Sequence, residues 1–186
     1  MSEAVKLSDG EKLILLMLCE LYDHLKVKGE IAPQFIREAI YSGNLWGLAS
    51  GYTGVFHGEE TSGHVVSETI SVLAMWRRLE ESYEGLSPED KDWLKQQEGG
   101  YVPFYGFDNN NEVPHISAAR FLIDQLGRFE NFKGRSLDAH MPTIEVHRRM
   151  LKVFDPILHQ VLNRDFSAAQ INEVMLSRVH PDRRNV

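Results

Sequence analysis

The chain has 186 residues, of which 42% are hydrophobic and 25% charged, and its formal net charge is −7. This length is sufficient to bury a large core and favours one domain over two. The negative charge argues against a nucleic-acid-binding surface spread over the whole fold and against binding to an anionic membrane.

Neither a disulfide nor a targeting segment is predicted. Cys19 is the only cysteine, which excludes an intrachain disulfide and a cysteine-based zinc site. The N-terminal stretch MSEAVK lacks the positive region and apolar core of a signal peptide. The longest apolar run, residues 13–19, is far shorter than the ~20 residues that cross a bilayer, so we expect a cytoplasmic protein without membrane contact.

The first predicted helix runs from Ser8 to about Lys28 and is apolar on two sides. Ser8 and Glu11 have the spacing of a capping box, in which each side chain accepts a main-chain N–H of the first turn. The side that we assign to the core consists of Ile14, Met17, Leu18, Leu21 and Leu25. The other side consists of Leu15, Leu16, Cys19 and Tyr22.

This second apolar side has to be covered as well. Because contiguous apolar patches mark interfaces, we predict that it joins two copies of the chain in a homo-oligomer, most simply a symmetric dimer. The alternative is that the glycine-rich segment, residues 42–63, folds over this side with Trp46 and Phe56. Glycine at that density predicts turns rather than regular structure.

The middle of the chain predicts three helices and a polar turn. A short helix begins at Pro33, a second spans residues 62–84 with apolar positions four and three apart, and a third begins at Ser87. The stretch FYGFDNNNEVPH, residues 104–115, then predicts a turn and helix cap, because Asp and Asn bond their own main chain. It does not fit a calcium loop, which requires glycine where Val113 stands.

The last third predicts long helices over residues 112–132 and 142–163, and a final helix that opens at Ser167. Arg120, Asp124 and Arg128 are spaced for a ladder of ion pairs on the first of these. No segment alternates with period two. We therefore predict an all-α fold: a compact single-domain bundle of about seven helices over residues 1–186, with possible sub-halves 1–98 and 103–181 and a flexible tail, 182–186.

Five stretches resemble the YfbU family of bacterial proteins. They are LSDGEKLILLMLCELYDHL, AIYSGNLWGL, FYGFDNNNE, AARFLIDQLGRFENFKGR and LDAHMPTIEVHRRMLKVF, and they span nearly the whole chain. The resemblance implies a compact all-α fold but no assigned activity and no catalytic residues. Some relatives carry an additional N-terminal ribbon-helix-helix-like segment, which implies a regulatory role for the family. We expect this chain to begin at the first helix of the domain, without that segment.

The segments of closest resemblance carry a candidate polar cluster. It consists of Asp108, Glu112, Arg120, Arg128, Glu130, Asp138, His140 and His147. If the two long helices pack antiparallel, these residues form either a satisfied internal network or a site. Glu130 and His147 fall on apolar helix faces. We predict that Glu130 pairs there with His147 or a nearby arginine, because an unpaired buried charge is costly.

Three functions remain open. We favour a non-catalytic interaction or regulatory protein, because no activated nucleophile or metal motif accompanies the excess of apolar helix surface. The alternative is a hydrolase-like enzyme that uses His147 or His140 with Asp138 or Glu130. A nucleic-acid-binding regulator is the third, and the net charge disfavours it. Asp138, His140 and His147 match no known zinc spacing, so we expect no metal or other cofactor.

Overall fold

The regular structure is helical, which confirms the predicted all-α class. The computed structural model describes residues 5–56, 60–161 and 164–179. Within these ranges it contains nine α-helices, one π-helical turn, one 3-10 turn and no β-strand. The number exceeds the seven predicted partly because the glycine-rich segment forms two short helices. The predicted tail, 182–186, lies outside the described residues.

The chain divides into two units between residues 60 and 61. The first contains α1 (Asp9–His24), α2 (Pro33–Tyr41), α3 (Trp46–Gly51) and α4 (Thr53–Phe56). The second contains α5 (Gly63–Glu84), α6 (Pro88–Gln96), α7 (Val113–Arg120), the π-helical turn Phe121–Gln125, the 3-10 turn Glu130–Phe132, α8 (Ile144–Val161) and α9 (Ala168–Leu176). The sequence interpretation considered a boundary between 98 and 103. However, α5 packs against α7, α8 and α9, and α6 packs against α9, so both belong to the second unit.

In the first unit, the assignment of the two apolar sides of α1 is inverted. The predicted interface side faces inward: Cys19 is buried, and Leu15, Leu16 and Tyr22 are partly buried. Helix α1 packs against α2, and an ion pair of 2.7 Å joins Asp23 Oδ2 to Arg37 Nη2. Both sides are equally apolar, so periodicity alone cannot show which one meets α2. The predicted capping box is confirmed.

The predicted core side of α1 is instead exposed. All five residues assigned to this side are exposed to solvent: Ile14, Met17, Leu18, Leu21 and Leu25. Trp46 and Phe56, which were the alternative cover for the other side, are exposed too. The first unit therefore presents a complete apolar helix face on its surface.

The second unit is built around α5. Val72, Leu73, Met75, Trp76 and Leu79 are completely buried in its core. Of these residues, Val72, Trp76 and Leu79 have the predicted spacing of four and three, and their burial confirms that this stripe of side chains packs against neighbouring helices. Among the helices in the described part of the chain, none combines the length and apolar character that crossing a membrane requires.

The predicted helix over residues 112–132 is wrong, because it is broken into three pieces. Helix α7 ends at Arg120, the π-helical turn follows, and a loop leads to the short 3-10 turn. Gly127 and Phe129 have φ angles of 61° and 55°, which an α-helix cannot contain. The break changes the direction of every side chain after it, and Glu130 is consequently exposed instead of buried.

Candidate functional site

The centre of the predicted polar cluster is the main-chain carbonyl of Gly106. His147 Nε2 lies 3.0 Å from this oxygen, and Trp76 Nε1 lies 3.2 Å from the other ring nitrogen, Nδ1. Since the indole N–H can only donate, Nδ1 accepts and Nε2 carries the proton that is donated to Gly106. Both ring nitrogens of His147 are therefore engaged inside the protein.

The environment of His147 keeps it neutral. The side chain is completely buried, and four aromatic rings surround it: Trp76, Phe104, Tyr105 and Phe107. Burial lowers the pKa of His147 to about 4, although the hydrogen bond to Gly106 opposes this shift. An imidazole that is buried, neutral and doubly hydrogen-bonded has the properties of a core residue rather than those of an accessible general base.

Gly106 occupies a position that only glycine can fill. Its φ angle is +93°, and a Cβ atom there would lie 2.1 Å from the carbonyl oxygen of Leu137. The chain comes this close because Phe107 donates its N–H to Leu137 O and accepts from Ala139 N, each over 2.9 Å. This pairing, an isolated parallel bridge between Phe107 and Asp138, brings together the loops that precede α7 and α8.

Glu112 connects the loop before α7 to the start of α8. Its Oε1 accepts the N–H groups of Thr143 and Ile144, each over 2.7 Å, and its Oε2 accepts that of Asp108 over 2.8 Å. Thr143 Oγ1 lies 2.9 Å from Oε2 and 3.0 Å from Gly106 O. Burial would raise the pKa of Glu112, but these hydrogen bonds outweigh it and the pKa is lowered. The carboxylate thus caps α8, where a negative charge is favourable.

A smaller group beside this network runs from the buried Asp108 to the exposed His140. Asp108 accepts from the N–H of Asn110 over 2.9 Å and from the side chain of Asn111, which confirms the predicted turn. The predicted helix cap is wrong, because the N-cap residue of α7 is Glu112 and its side chain makes no capping hydrogen bond there. Asp138 Oδ2 lies 3.2 Å from His140 Nδ1, and Asp138 Oδ1 accepts from the N–H of His140 over 2.9 Å. The His140 side chain is 83% exposed. These two residues form a carboxylate–imidazole pair that is open to solvent.

Three residues of the predicted cluster lie elsewhere. Arg128 places its guanidinium 5.4 Å from the ring centre of Phe129, and Arg120 lines a separate cavity with Asp124. The prediction that Glu130 and His147 are partners is wrong, because His147 bonds Trp76 and Gly106. The ladder of ion pairs is also wrong: within the described ranges no ion pair joins its three members.

The sequence interpretation missed an ion-pair group that joins three helices. Glu68 on α5 accepts from Arg148 Nε over 2.6 Å, from Arg148 Nη2 over 2.9 Å and from His115 Nε2 over 2.8 Å. The hydrogen bonds from Arg148 lower the pKa of Glu68 to about 2, against the effect of burial. The partners are 47 and 80 residues apart, so no local spacing could reveal them.

The buried part of the cluster is an internal network that fixes α7 and α8 to one another. Its donors and acceptors around Gly106, Glu112 and His147 bond other protein groups. Across residues 5–56, 60–161 and 164–179, no three His, Cys, Asp or Glu side chains are placed to hold a metal ion. Asp138, His140 and His147 therefore do not form a common ligand set.

The exposed apolar side of α1 is the second candidate site. We call it the α1 face, and it consists of Leu13, Ile14, Met17, Leu18, Leu21 and Leu25. These residues are between 49% and 67% exposed, although such side chains are normally found inside proteins. Met17 and Leu21 also line a shallow depression of about 430 Å³ with Glu20 and His24. The face is suited to contact with another apolar surface.

Comparison with known proteins agrees with the resemblance seen in the sequence. The family model of the YfbU domain matches residues 5–176. The UPF0304 protein MJECS11 of Methanocaldococcus jannaschii is 25% identical over 121 residues, which cover 58% of this chain and 69% of that protein. This relative is archaeal, whereas the sequence interpretation described the family as bacterial. The match over residues 5–176 shows that the chain belongs to the YfbU family.

Proposed function

We propose that the protein is a non-catalytic interaction protein that acts as a homodimer, with the α1 face as the contact between the two copies. One observation carries this proposal: six large apolar side chains are at least 49% exposed on one side of a 16-residue helix. Monomers rarely expose contiguous apolar patches above a few hundred Å², and larger ones mark interaction sites. A single cysteine, which needs no oxidising compartment, supports the cytoplasm as its location.

The spacing of the α1 face supports a second helix as its partner. Positions 14, 18, 21 and 25 are separated by four, three and four residues, the alternating spacing of the a and d positions in a heptad period. That period forms the seam along which two α-helices pack side by side. A second copy of the chain supplies an identical seam, and a two-fold axis brings the same face of both copies together.

The charges at the two ends of α1 support an antiparallel arrangement. Asp9 and Glu11 lie in its first turn, where Asp9 pairs with Lys12 over 3.0 Å and Glu11 leaves a net negative charge, and Lys26 and Lys28 follow its C-terminal end. In an antiparallel pair, the acidic end of each helix approaches the basic end of the other. The opposed helix dipoles add to this attraction. The spacing of the apolar residues and the charges at the helix ends therefore favour a second copy as the partner of the α1 face.

The test compares two substitutions that introduce the same charge in the first unit. Leu18→Glu places a carboxylate in the centre of the α1 face, and Val55→Glu places one on α4, where the side chain is 72% exposed. We expect Leu18→Glu to convert the dimer into a folded monomer, because a buried unpaired charge is costly. We expect Val55→Glu to leave the dimer intact. Light scattering after size-exclusion chromatography measures both masses.

Two results would contradict the proposal. One is that Leu18→Glu retains the mass of the wild-type protein; the other is that Val55→Glu changes the mass to the same extent. Far-ultraviolet circular dichroism of both variants serves as the control for folding. Because Leu18 is 49% exposed, its replacement should leave the helical signal unchanged.

A hydrolase-like activity is the second candidate, and the contact between His140 and Asp138 favours it. A carboxylate that orients an exposed imidazole is an arrangement used by general bases. The residues first proposed as partners, Glu130 and His147, do not contribute to this pair. Hydrolysis of an activated ester that is lost in His140→Gln would support the enzyme over the interaction protein. A nucleic-acid-binding regulator ranks third because of the net charge of −7.

A further inference from the structure

A cavity of about 270 Å³ lies beside the π-helical turn in the second unit. We call it the π-turn cavity. Its polar lining consists of Arg120, Asp124, Arg135 and Ser136, and its apolar lining includes Ile123, Phe132 and Leu137. Ligand sites for drug-sized molecules usually measure about 300–1,000 Å³, so this cavity suits a smaller molecule. The charged side chains Arg120 and Asp124 are exposed to such a ligand, whereas Ile123, Phe132 and Leu137 are less than 10% exposed and offer it only a small apolar surface.

Three of the five N–H donors of the Arg135 guanidinium are already engaged by the protein. It forms two hydrogen bonds with the carboxylate of Glu80, over 2.8 and 3.0 Å, and a third with the carbonyl of Phe104 over 2.9 Å. It also lies 5.1 Å from the ring centre of Phe132. Since Glu80 neutralises Arg135, this pair contributes no net charge to the cavity and forms part of its wall.

Arg120 and Asp124 provide the remaining charges. In an α-helix, residues four apart are neighbours and oppositely charged side chains pair. Here the π-helical turn, residues 121–125, begins directly after Arg120 and changes that spacing. Neither side chain makes a hydrogen bond or ion pair with any other described residue. The cavity thus has one positive and one negative side chain, both exposed to solvent and free to pair with a ligand. They lie next to a π-helical turn of the kind often found at functional sites.

We propose that the π-turn cavity binds a small zwitterion, namely an α-amino acid or a related metabolite with an apolar side chain. Arg120 pairs with the carboxylate of the ligand, and Asp124 pairs with its ammonium group. Ile123, Phe132 and Leu137 contact the apolar side chain. One charge of each sign fits a zwitterion better than a phosphate or a dicarboxylate, which would need two free cationic groups.

The binding experiment is isothermal titration calorimetry with a panel of the standard amino acids. Leucine is then compared with two analogues, leucinamide, which lacks the carboxylate, and N-acetylleucine, which lacks the ammonium group. We expect an apolar amino acid to bind and each analogue to bind at least about tenfold more weakly, because each loses one charge-assisted contact. If another apolar amino acid binds more tightly, its own amide and N-acetyl derivatives replace these analogues.

Variants locate the binding to the cavity. Arg120→Gln and Asp124→Asn should each weaken binding of the preferred amino acid by about ten- to a hundredfold. Arg128→Gln is the matched control and should have no effect, because Arg128 stacks on Phe129 and does not line the cavity. Absence of binding by every amino acid at millimolar concentration would overturn the proposal. So would binding that neither Arg120→Gln nor Asp124→Asn weakens. The binding result and the dimer are tested separately, since no residue of the α1 face lines the π-turn cavity.

Discussion

At the scale of single residues, Gly106 and His147 show how main-chain geometry assigns a role to an ionisable side chain. The Gly106 carbonyl accepts a hydrogen bond from His147 Nε2, and the indole N–H of Trp76 donates one to His147 Nδ1. The sequence indicated correctly that His147 lies inside the core. It could not indicate the partners, because a main-chain carbonyl carries no sequence signal and Trp76 is 71 residues away.

His147 should make folding stability depend on pH between about 6.5 and 4. Its pKa is about 4 in the folded protein and about 6.5 in the unfolded chain. As the pH falls through this window, the unfolded chain takes up a proton first, so stability present above pH 6.5 is progressively lost. The loss attributable to His147 is about 3 kcal/mol. Gln at this position can accept from Trp76 and donate to Gly106 but does not titrate.

We therefore expect the free energy of unfolding of His147→Gln to vary less between pH 7 and pH 4 than that of the wild-type protein. Urea denaturation at a series of pH values measures this difference. Glu68, whose pKa is lowered to about 2, also loses its contribution to stability as the pH falls below about 5. It does so equally in both proteins, so its effect cancels in the comparison. Identical pH dependence in both proteins would contradict the role given to His147.

Gly106→Ala tests the close approach of the two loops. The added Cβ would meet Leu137 O at 2.1 Å in a backbone conformation with φ of +93°, so we expect a loss of at least about 4 kcal/mol or failure to fold. Gly134→Ala is the matched control: its φ is +77°, but no atom lies within 4 Å of the new Cβ. Conformational strain alone should cost it about 1–2 kcal/mol. Equal losses in urea denaturation would refute the steric explanation.

At the scale of elements, local signals predicted helix starts well and helix partners poorly. The capping boxes at Ser8 and Ser167 are confirmed, because capping depends on residues three apart. The break after Arg120 was missed, since residues 121–126 remain compatible with a helix and only Gly127 hints at its end. The inward side of α1 was misassigned because two apolar sides look alike until α2 is in place.

Glu112 provides an element-scale prediction, because it joins the loop before α7 to the first turn of α8. Glu112→Gln would place an amide N–H₂ against main-chain N–H donors. We expect the free energy of unfolding to fall by about 3 kcal/mol, the range for losing charged, buried hydrogen bonds. Glu130→Gln makes the same chemical change on the exposed 3-10 turn and should cost less than about 0.5 kcal/mol. Similar values for both variants in urea denaturation would count against the cap.

At the scale of the whole molecule, the all-α class was predictable and the division into two units was not. Helical periodicity without period-two alternation was sufficient for the class. The boundary at residue 60 depends on which helices α5 contacts, and those contacts join segments far apart in the sequence. Each unit carries one feature that its own residues leave without a partner: the α1 face in the first, and the exposed charges of Arg120 and Asp124 at the π-turn cavity in the second.

The most direct test of the central claim is the mass of the wild-type chain in solution. Sedimentation equilibrium over a range of micromolar concentrations gives this mass without reference to shape. If the α1 face joins two copies, the mass should be twice that of one chain at the upper end of the range. A mass of one chain at every micromolar concentration would contradict the homodimer.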